Sequence, residues 1–240
     1  VYAVIPPDEA WAVAEDGGKV KLTSPDGTVY GRFAGTIMVK PAQAGGSVIF
    51  DASSRTKNPW FQGSDRQYRG YIELFPNGSR GIGVVNVVEN ELYLLGVVPS
   101  EVAPQWPYES LKAQAVLART QVLIRRARGG QHRKDGYHLC DGQHCQAYKG
   151  KSIEANTTTR AVVDTEGEIL TYHGRPAYTF YHSNCGGWIQ ASKEVTGWGD
   201  SPYLVTKPDI APDKVQAPLD PWDAHLWLTG NPDANCNYPG

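Results

Sequence analysis

No run of about 18 apolar residues occurs in this 240-residue chain, so nothing in it has the make-up of a membrane-spanning helix. An excess of one charge is lacking too: 23 Lys and Arg stand against 25 Asp and Glu, a net charge of −2. That balance excludes the electrostatic footprint of a nucleic-acid binder and gives no pull toward an anionic membrane. Neither GxGxxG, nor a P-loop, nor His-Glu-x-x-His is present, which sets aside nucleotide chemistry and zincin-type proteolysis. No internal repeat and no long linker breaks the chain. The start carries no charged-then-apolar leader. With a single Met and Val1 at the beginning, the chain is expected to be a processed or trimmed piece of a longer product.

What is present is turn chemistry. The chain has 26 Gly and 17 Pro beside 10% aromatics, which together imply short strands and many turns. Thr28–Phe33, Thr36–Val39 and Ser47–Phe50 carry β-branched and aromatic residues between such breakers. Tyr68–Leu74 and Gly83–Val88 flank Phe75-Pro76-Asn77-Gly78, a hairpin pattern. A second hairpin is expected where Gly167–Tyr172 and Arg175–Tyr181 flank His173-Gly174. Glu91–Val98 fits a short helix or a strand equally, because brief apolar runs do not resolve by period.

The clearest element is a helix over about 107–128. Leu111, Ala115, Ala118 and Val122 recur at spacings of 4, 3 and 4 and form one apolar stripe. Pro107 and Glu109 suit its positive end, and Arg125, Arg126 and Arg128 before Gly129-Gly130 suit its stop. Lys112, Arg119 and Arg126, seven apart, share the edge of that stripe; Lys112 and Arg119 are candidates for a site, Arg126 for a solvated edge. The fold expected is α+β, mainly antiparallel strands packed around this one long central helix, with a β-rich N-terminal part. It is read as a single domain over 1–240, with a β-rich subdomain 1–66 and a loop-rich tail 206–240.

Three segments hold groups able to do chemistry. In Val98-Pro99-Ser100-Glu101-Val102-Ala103-Pro104-Gln105-Trp106-Pro107, a carboxylate sits in a loop stiffened by prolines, beside apolar residues that favour its protonated form as a general acid. In His138-Leu139-Cys140-Asp141-Gly142-Gln143-His144-Cys145, two thiols and two imidazoles fall within eight residues, a density suited to zinc. His138, Cys140, His144 and Cys145 are the expected ligands, with His132 as substitute for His138. The competing reading is a Cys140–Cys145 disulfide. Cys185 and Cys236 can form a disulfide under either reading. The third segment, Tyr181-His182-Ser183-Asn184-Cys185-Gly186-Gly187, ends in glycines that admit a ligand close to backbone; a direct Ser183–His182 dyad is excluded there, since strand neighbours face opposite ways. Gln146 and Tyr148 add groups of the kind that hydrogen-bond to and pack on a sugar, and the tryptophans at 188, 198, 222 and 227 are expected mainly as core anchors.

Taken in order, these motifs resemble the stage II sporulation protein D family (SpoIID/LytB). The likeness runs through Tyr93-Leu94, Gly96-Val97-Val98-Pro99, Glu101, Trp106-Pro107, Glu109 and Leu111–Val116. It continues through Cys145–Gly150, Ala161–Gly167 and Tyr181–Gly187, covering roughly 68–205. Val102-Ala103, where many members carry Met-Pro, and Gln121, where an aromatic is common, depart from the pattern without removing a reactive group. The resemblance implies a lytic transglycosylase cutting peptidoglycan glycan strands, with Glu101 as acid/base and Lys112 and Arg119 in support. It places Gln146, Tyr148, Tyr181 and Ser183 on the substrate and makes the zinc structural. It further implies an extracytoplasmic location reached by a leader or anchor outside this chain, and a preference for peptide-free strands. A non-catalytic glycan-binding enhancer of a cell-wall amidase is the alternative it leaves open. A two-carboxylate hydrolase is a third; no second acidic residue occupies a comparable motif.

Overall fold

The β-branched runs of the first ninety residues form eight short strands in a computed structural model, which describes residues 3–6, 8–50, 66–127, 132–185 and 187–209. They are β1 (Ala12–Glu15), β2 (Val20–Thr23), β3 (Val29–Phe33), β4 (Ile37–Val39), β5 (Val48–Phe50), β6 (Arg66–Tyr68), β7 (Tyr71–Pro76) and β8 (Ile82–Val87). All pairings are antiparallel, in three small sheets ordered β1-β2-β3, β4-β7-β8 and β5-β6. The expected hairpin around Asn77 is β7–β8. The run read as one strand over Tyr68–Leu74 is divided by Arg69-Gly70: Tyr68 pairs with Val48 in β5–β6, whereas Tyr71 pairs with Val87. β1 and β2 were not expected, since their alternation is brief and mixed with polar residues.

Three helices follow: α1 (Asn90–Glu101), α2 (Tyr108–Ala127) and α3 (Asn156–Asp164). α1 resolves the ambiguity at Glu91–Val98 in favour of helix. Its residues 94–99 are all buried, so it is apolar all round and shows no stripe to read. α2 matches the expected helix to within a residue at each end, and Leu111, Ala115, Ala118 and Val122 are 0–2% exposed. What that stripe meets differs from expectation. Instead of an antiparallel sheet, α2 packs chiefly on α1 and α3, so the fold is α+β with a three-helix cluster beside small sheets rather than sheets around one central helix. The second hairpin is β9 (Thr171–Tyr172) with β10 (Arg175–Pro176), and its turn residues His173 (φ 49°) and Gly174 (φ 72°) are both left-handed, as a type I′ turn requires.

Two apolar clusters hold this part together. Leu94, Leu95, Val97, Val98, Ala115, Ala118, Tyr148 and Val162 form the helical one, and Val20, Val48, Ile72 and Leu74 the one under the sheets. Each fully buried aliphatic contributes about 1.5–3 kcal/mol. Tyr68 packs against both clusters. Arg69 fastens the sheets to the segment before α3 through a two-pronged pair with Glu154, at 2.6 and 2.7 Å.

The chain divides into two compact units, Val1–Thr179 and Phe180–Gly240. In the second, β11 (Trp188–Ile189) pairs with β12 (Lys207–Pro208), and the Phe180 and Trp198 rings stack at 3.9 Å. Cys236, Trp222, Trp227, Gly186, the Arg128–Gly130 stop and most of the tail from 206 lie outside the described residues, and with them the Cys185–Cys236 disulfide. No helix among the described residues is long and apolar enough to cross a membrane.

Candidate functional site

Glu101 is the last residue of α1, not part of a loop. The helix runs through Pro99, and Ser100 Oγ donates to the Gly96 carbonyl at 2.7 Å in the turn that Pro99 weakens. Val102 turns extended, and its amide makes the closing bond to Val98 O at 3.0 Å. The connection to α2 is held by the Trp106 amide on Ala103 O at 3.0 Å and by Thr157 Oγ1 of α3 on Pro104 O at 2.9 Å. Of the apolar neighbours expected to shield Glu101, Val102 packs on the helical core while the Trp106 side chain is 51% exposed.

The partner of Glu101 comes from 46 positions away: the Ala147 amide donates to Glu101 Oε1 at 2.5 Å. The strip carrying that amide runs along α2. Arg125 reaches the Cys145 sulfur at 3.6 Å and the His144 carbonyl at 3.3 Å, and Gln146 Nε2 reaches the Ala118 carbonyl at 3.4 Å. Gln146 is fully buried and Tyr148 is 7% exposed. Tyr148 stacks near Tyr93 (4.8 Å) and donates its hydroxyl to Asn86 Oδ1 at 2.7 Å, and burial pushes its phenol well above the usual tyrosine range. Gln146 and Tyr148, two of the four residues expected on the substrate, therefore point their side chains into the core, and it is the backbone amide between them that meets Glu101.

Arg119 is placed inside as well. Only 3% exposed, its guanidinium grips Glu91 at 2.7 and 2.8 Å and donates to the Glu168 and Val162 carbonyls at 3.0 and 3.2 Å. It ties the start of α1 to the end of α3. Lys112 is on the surface, held by Glu109 at 3.0 Å. Tyr181 and Ser183 belong to the second unit.

A His/Cys group able to hold a metal stands on the same strip. His132, Cys140, His144 and Cys145 bring their ligand atoms within 4.8 Å of one another. The fourth member is His132, while His138 is exposed and outside the group. The reason lies in what orients His132: its ring stacks on Tyr137 at 4.7 Å, and Asp135 is 3.8 Å from Nδ1, leaving Nε2 to face His144 Nδ1 at 3.2 Å. Cys140 Sγ and Cys145 Sγ each lie 3.7 Å from His144 Nδ1. A tetrahedron with bonds near 2.0 Å to nitrogen and 2.3 Å to sulfur has edges of about 3.3–3.8 Å; the three separations from His144 Nδ1 match such edges, and the other ligand atoms, all within 4.8 Å of one another, close on an ion with a small inward shift. Both thiols are free, which leaves them available as ligands, and burial pushes the Cys145 thiol up, so it gains most from a cation or from Arg125 beside it.

Sequence reasoning missed three elements of this site. The Ala147 amide carries no sequence signal. Tyr137 and Asp135 orient His132, and the His-x-x-Asp spacing was their only trace. α3, which holds the Pro104 turn, left only a weak trace in Thr158, Ala161, Val162 and Thr165, all buried at helical spacing.

Residues 78–172 match the family described as SpoIID, Stage II sporulation protein. An uncharacterized protein of Brachyspira hyodysenteriae is 33% identical over 156 residues, 65% of this chain and 40% of the relative. The amidase enhancer of Bacillus subtilis is 37% identical over 123 residues, 51% of this chain and 16% of the relative. Stage II sporulation protein D of Bacillus subtilis is 27% identical over 186 residues, 70% of this chain and 53% of the relative. The chain thus spans about half or less of these relatives.

Proposed function

The chain belongs to the SpoIID family through residues 78–172, and from that premise we propose that it is a lytic transglycosylase cutting the glycan backbone of peptidoglycan outside the cytoplasm. The observation that carries this reading is the placement of Glu101. A half-buried carboxylate ends α1, and the Ala147 amide holds one of its oxygens, which leaves the other for a sugar. Glycosidases that activate water use a pair of carboxylates. A transglycosylase has no water to activate, so one suffices. Glu101 donates its proton to the leaving glycosidic oxygen and then removes the proton of the sugar's own 6-hydroxyl as that oxygen attacks the anomeric carbon, giving a 1,6-anhydro end. The Ala147 amide, held on Oε1, fixes the orientation of the carboxyl group through both proton transfers.

The ion we assign to His132, Cys140, His144 and Cys145 is zinc, and with four protein ligands its role is structural. Those residues hold the strip from which Ala147 reaches Glu101. Peptide-free strands are the proposed substrate. Digestion of purified peptide-free glycan by this chain, with mass analysis of the ends, tests the reading. Products with 1,6-anhydro ends are expected; reducing ends or intact strands reject it.

A second reading has its own support, the likeness to a protein named amidase enhancer. On that reading the chain binds glycan without cutting it and raises the activity of a cell-wall amidase. Strands that stay whole while a co-incubated amidase accelerates would favour it.

A further inference from the structure

We propose that the second unit carries a glycan-binding subsite of its own, built on Trp198 and the hollow beside it; this rests on the reading of the chain as a protein that engages glycan. Trp198 and Phe180 stack face to face at 3.9 Å and 19°, yet remain 43% and 40% exposed. Two stacked aromatic rings thus present a broad apolar surface to water. Trp198 is held in place by backbone: its amide donates to Val195 O at 3.1 Å, between Gly197 (φ 84°) and Gly199 (φ 50°).

Two residues on, within about 7 Å of chain, Asp200 enters the lining of a hollow of about 300 Å³. Ser201, Thr206, Glu194 and Lys193 supply its other polar groups, and Leu204 and Val205 part of its apolar wall. Its frame is stiff. Thr206 Oγ1 donates to Glu194 Oε2 and accepts from the Ala191 amide, both at 2.9 Å, and Ser192 Oγ accepts from the Ser201 amide at 2.9 Å. Lys193 and Asp200, by contrast, are exposed and have no hydrogen-bond or ion-pair partner among the described residues.

These groups select a class of ligand. One face of a pyranose is lined with C–H groups and suits an indole, while its rim of hydroxyls suits a carboxylate acceptor and an ammonium donor. The hollow has the volume of the smaller ligand sites, and its polar lining residues outnumber its apolar ones, which suits a hydroxyl-rich ligand. A nucleotide or other polyanion is disfavoured by two carboxylates against one lysine. The subsite binds and does not cut: it holds strand, and Glu101 remains the acid/base.

The test uses the full chain carrying Glu101→Gln, so that strands survive, and fluorescently labelled peptide-free glycan strands as probe, read by anisotropy. Trp198→Ala is expected to weaken binding at least tenfold, Asp200→Asn and Lys193→Gln several-fold each, and Trp198→Phe less than twofold. Melting curves accompany each variant. If Trp198→Ala loses its fold, the two surface variants decide: their binding at parent strength overturns the subsite. Full-strength binding by a folded Trp198→Ala overturns it directly. If the Glu101→Gln parent binds but wild type fails to cut, the catalytic reading falls while the subsite stands or falls on its variants. A parent that binds no strand rejects both.

Discussion

The amide of Ala147 donates to Oε1 of Glu101, and Ala147 lies two residues after Cys145. The candidate acid and the candidate metal group are thus coupled through two peptide units. Anything that loosens Cys145 frees the hydrogen-bond donor that holds the carboxylate.

Glu101→Gln is expected to lower strand cleavage by roughly a hundred- to ten-thousand-fold. The amide oxygen of Gln still accepts from Ala147, so melting temperature and glycan binding stay near wild type. Retention of a tenth of the activity in the digestion assay would remove Glu101 from the mechanism.

Chelation should cost stability as well as activity. Metal bound by the folded state alone is folding free energy, so a strong chelator is expected to lower the melting temperature, with one equivalent of zinc released per chain. His132→Ala should lose the metal and His138→Ala should keep it, as elemental analysis of the two proteins will show. The opposite pattern would restore His138 as ligand.

Arg119 and Lys112 separate on stability. Arg119→Ala strips a buried cation from Glu91 and from two carbonyls and is expected to cost about 3 kcal/mol or more in urea unfolding. Lys112→Ala breaks a surface pair with Glu109 and a long cation–π contact with the Tyr108 ring and is expected to cost about 1 kcal/mol at most. If Lys112→Ala also cleaves normally, its charge is a solvated edge.

Gly96→Ala adds a methyl where none fits. A Cβ there would come within 2.7 Å of the Gly150 carbonyl and of the Tyr148 ring. We expect a loss of about 1–3 kcal/mol by overpacking, read as a shifted urea midpoint, and a larger fall in activity, since Tyr148 and Ala147 move together.

How far the sequence could be read follows from which interactions are local. The Leu111/Ala115/Ala118/Val122 stripe named its helix because period is a property of neighbours, and the His173-Gly174 turn was legible because its backbone demands those residue types. What the stripe packs on was not legible, since α3 declares itself only weakly behind three threonines. α1 was obscured by Pro99 and by apolar residues on every side, which erase the period. Two imidazoles flank the thiols in sequence, yet stacking on Tyr137 and the nearby Asp135 put His132 rather than His138 in the metal group. Glu101 was singled out by its setting, and the loop read around it is the end of a helix.

Tyr68 stands where two apolar clusters meet, and Arg69 beside it grips Glu154 across 85 positions. A cut at residue 66, the boundary that composition suggests, severs β5 from β6 and parts Val20 and Val48 from Ile72 and Leu74. The strands before that point are thus joined by pairing and by a shared apolar cluster to β6, β7 and β8. In an unfolding experiment they should melt in the same transition as α1 and α2, and residues 1–66 made alone should not fold.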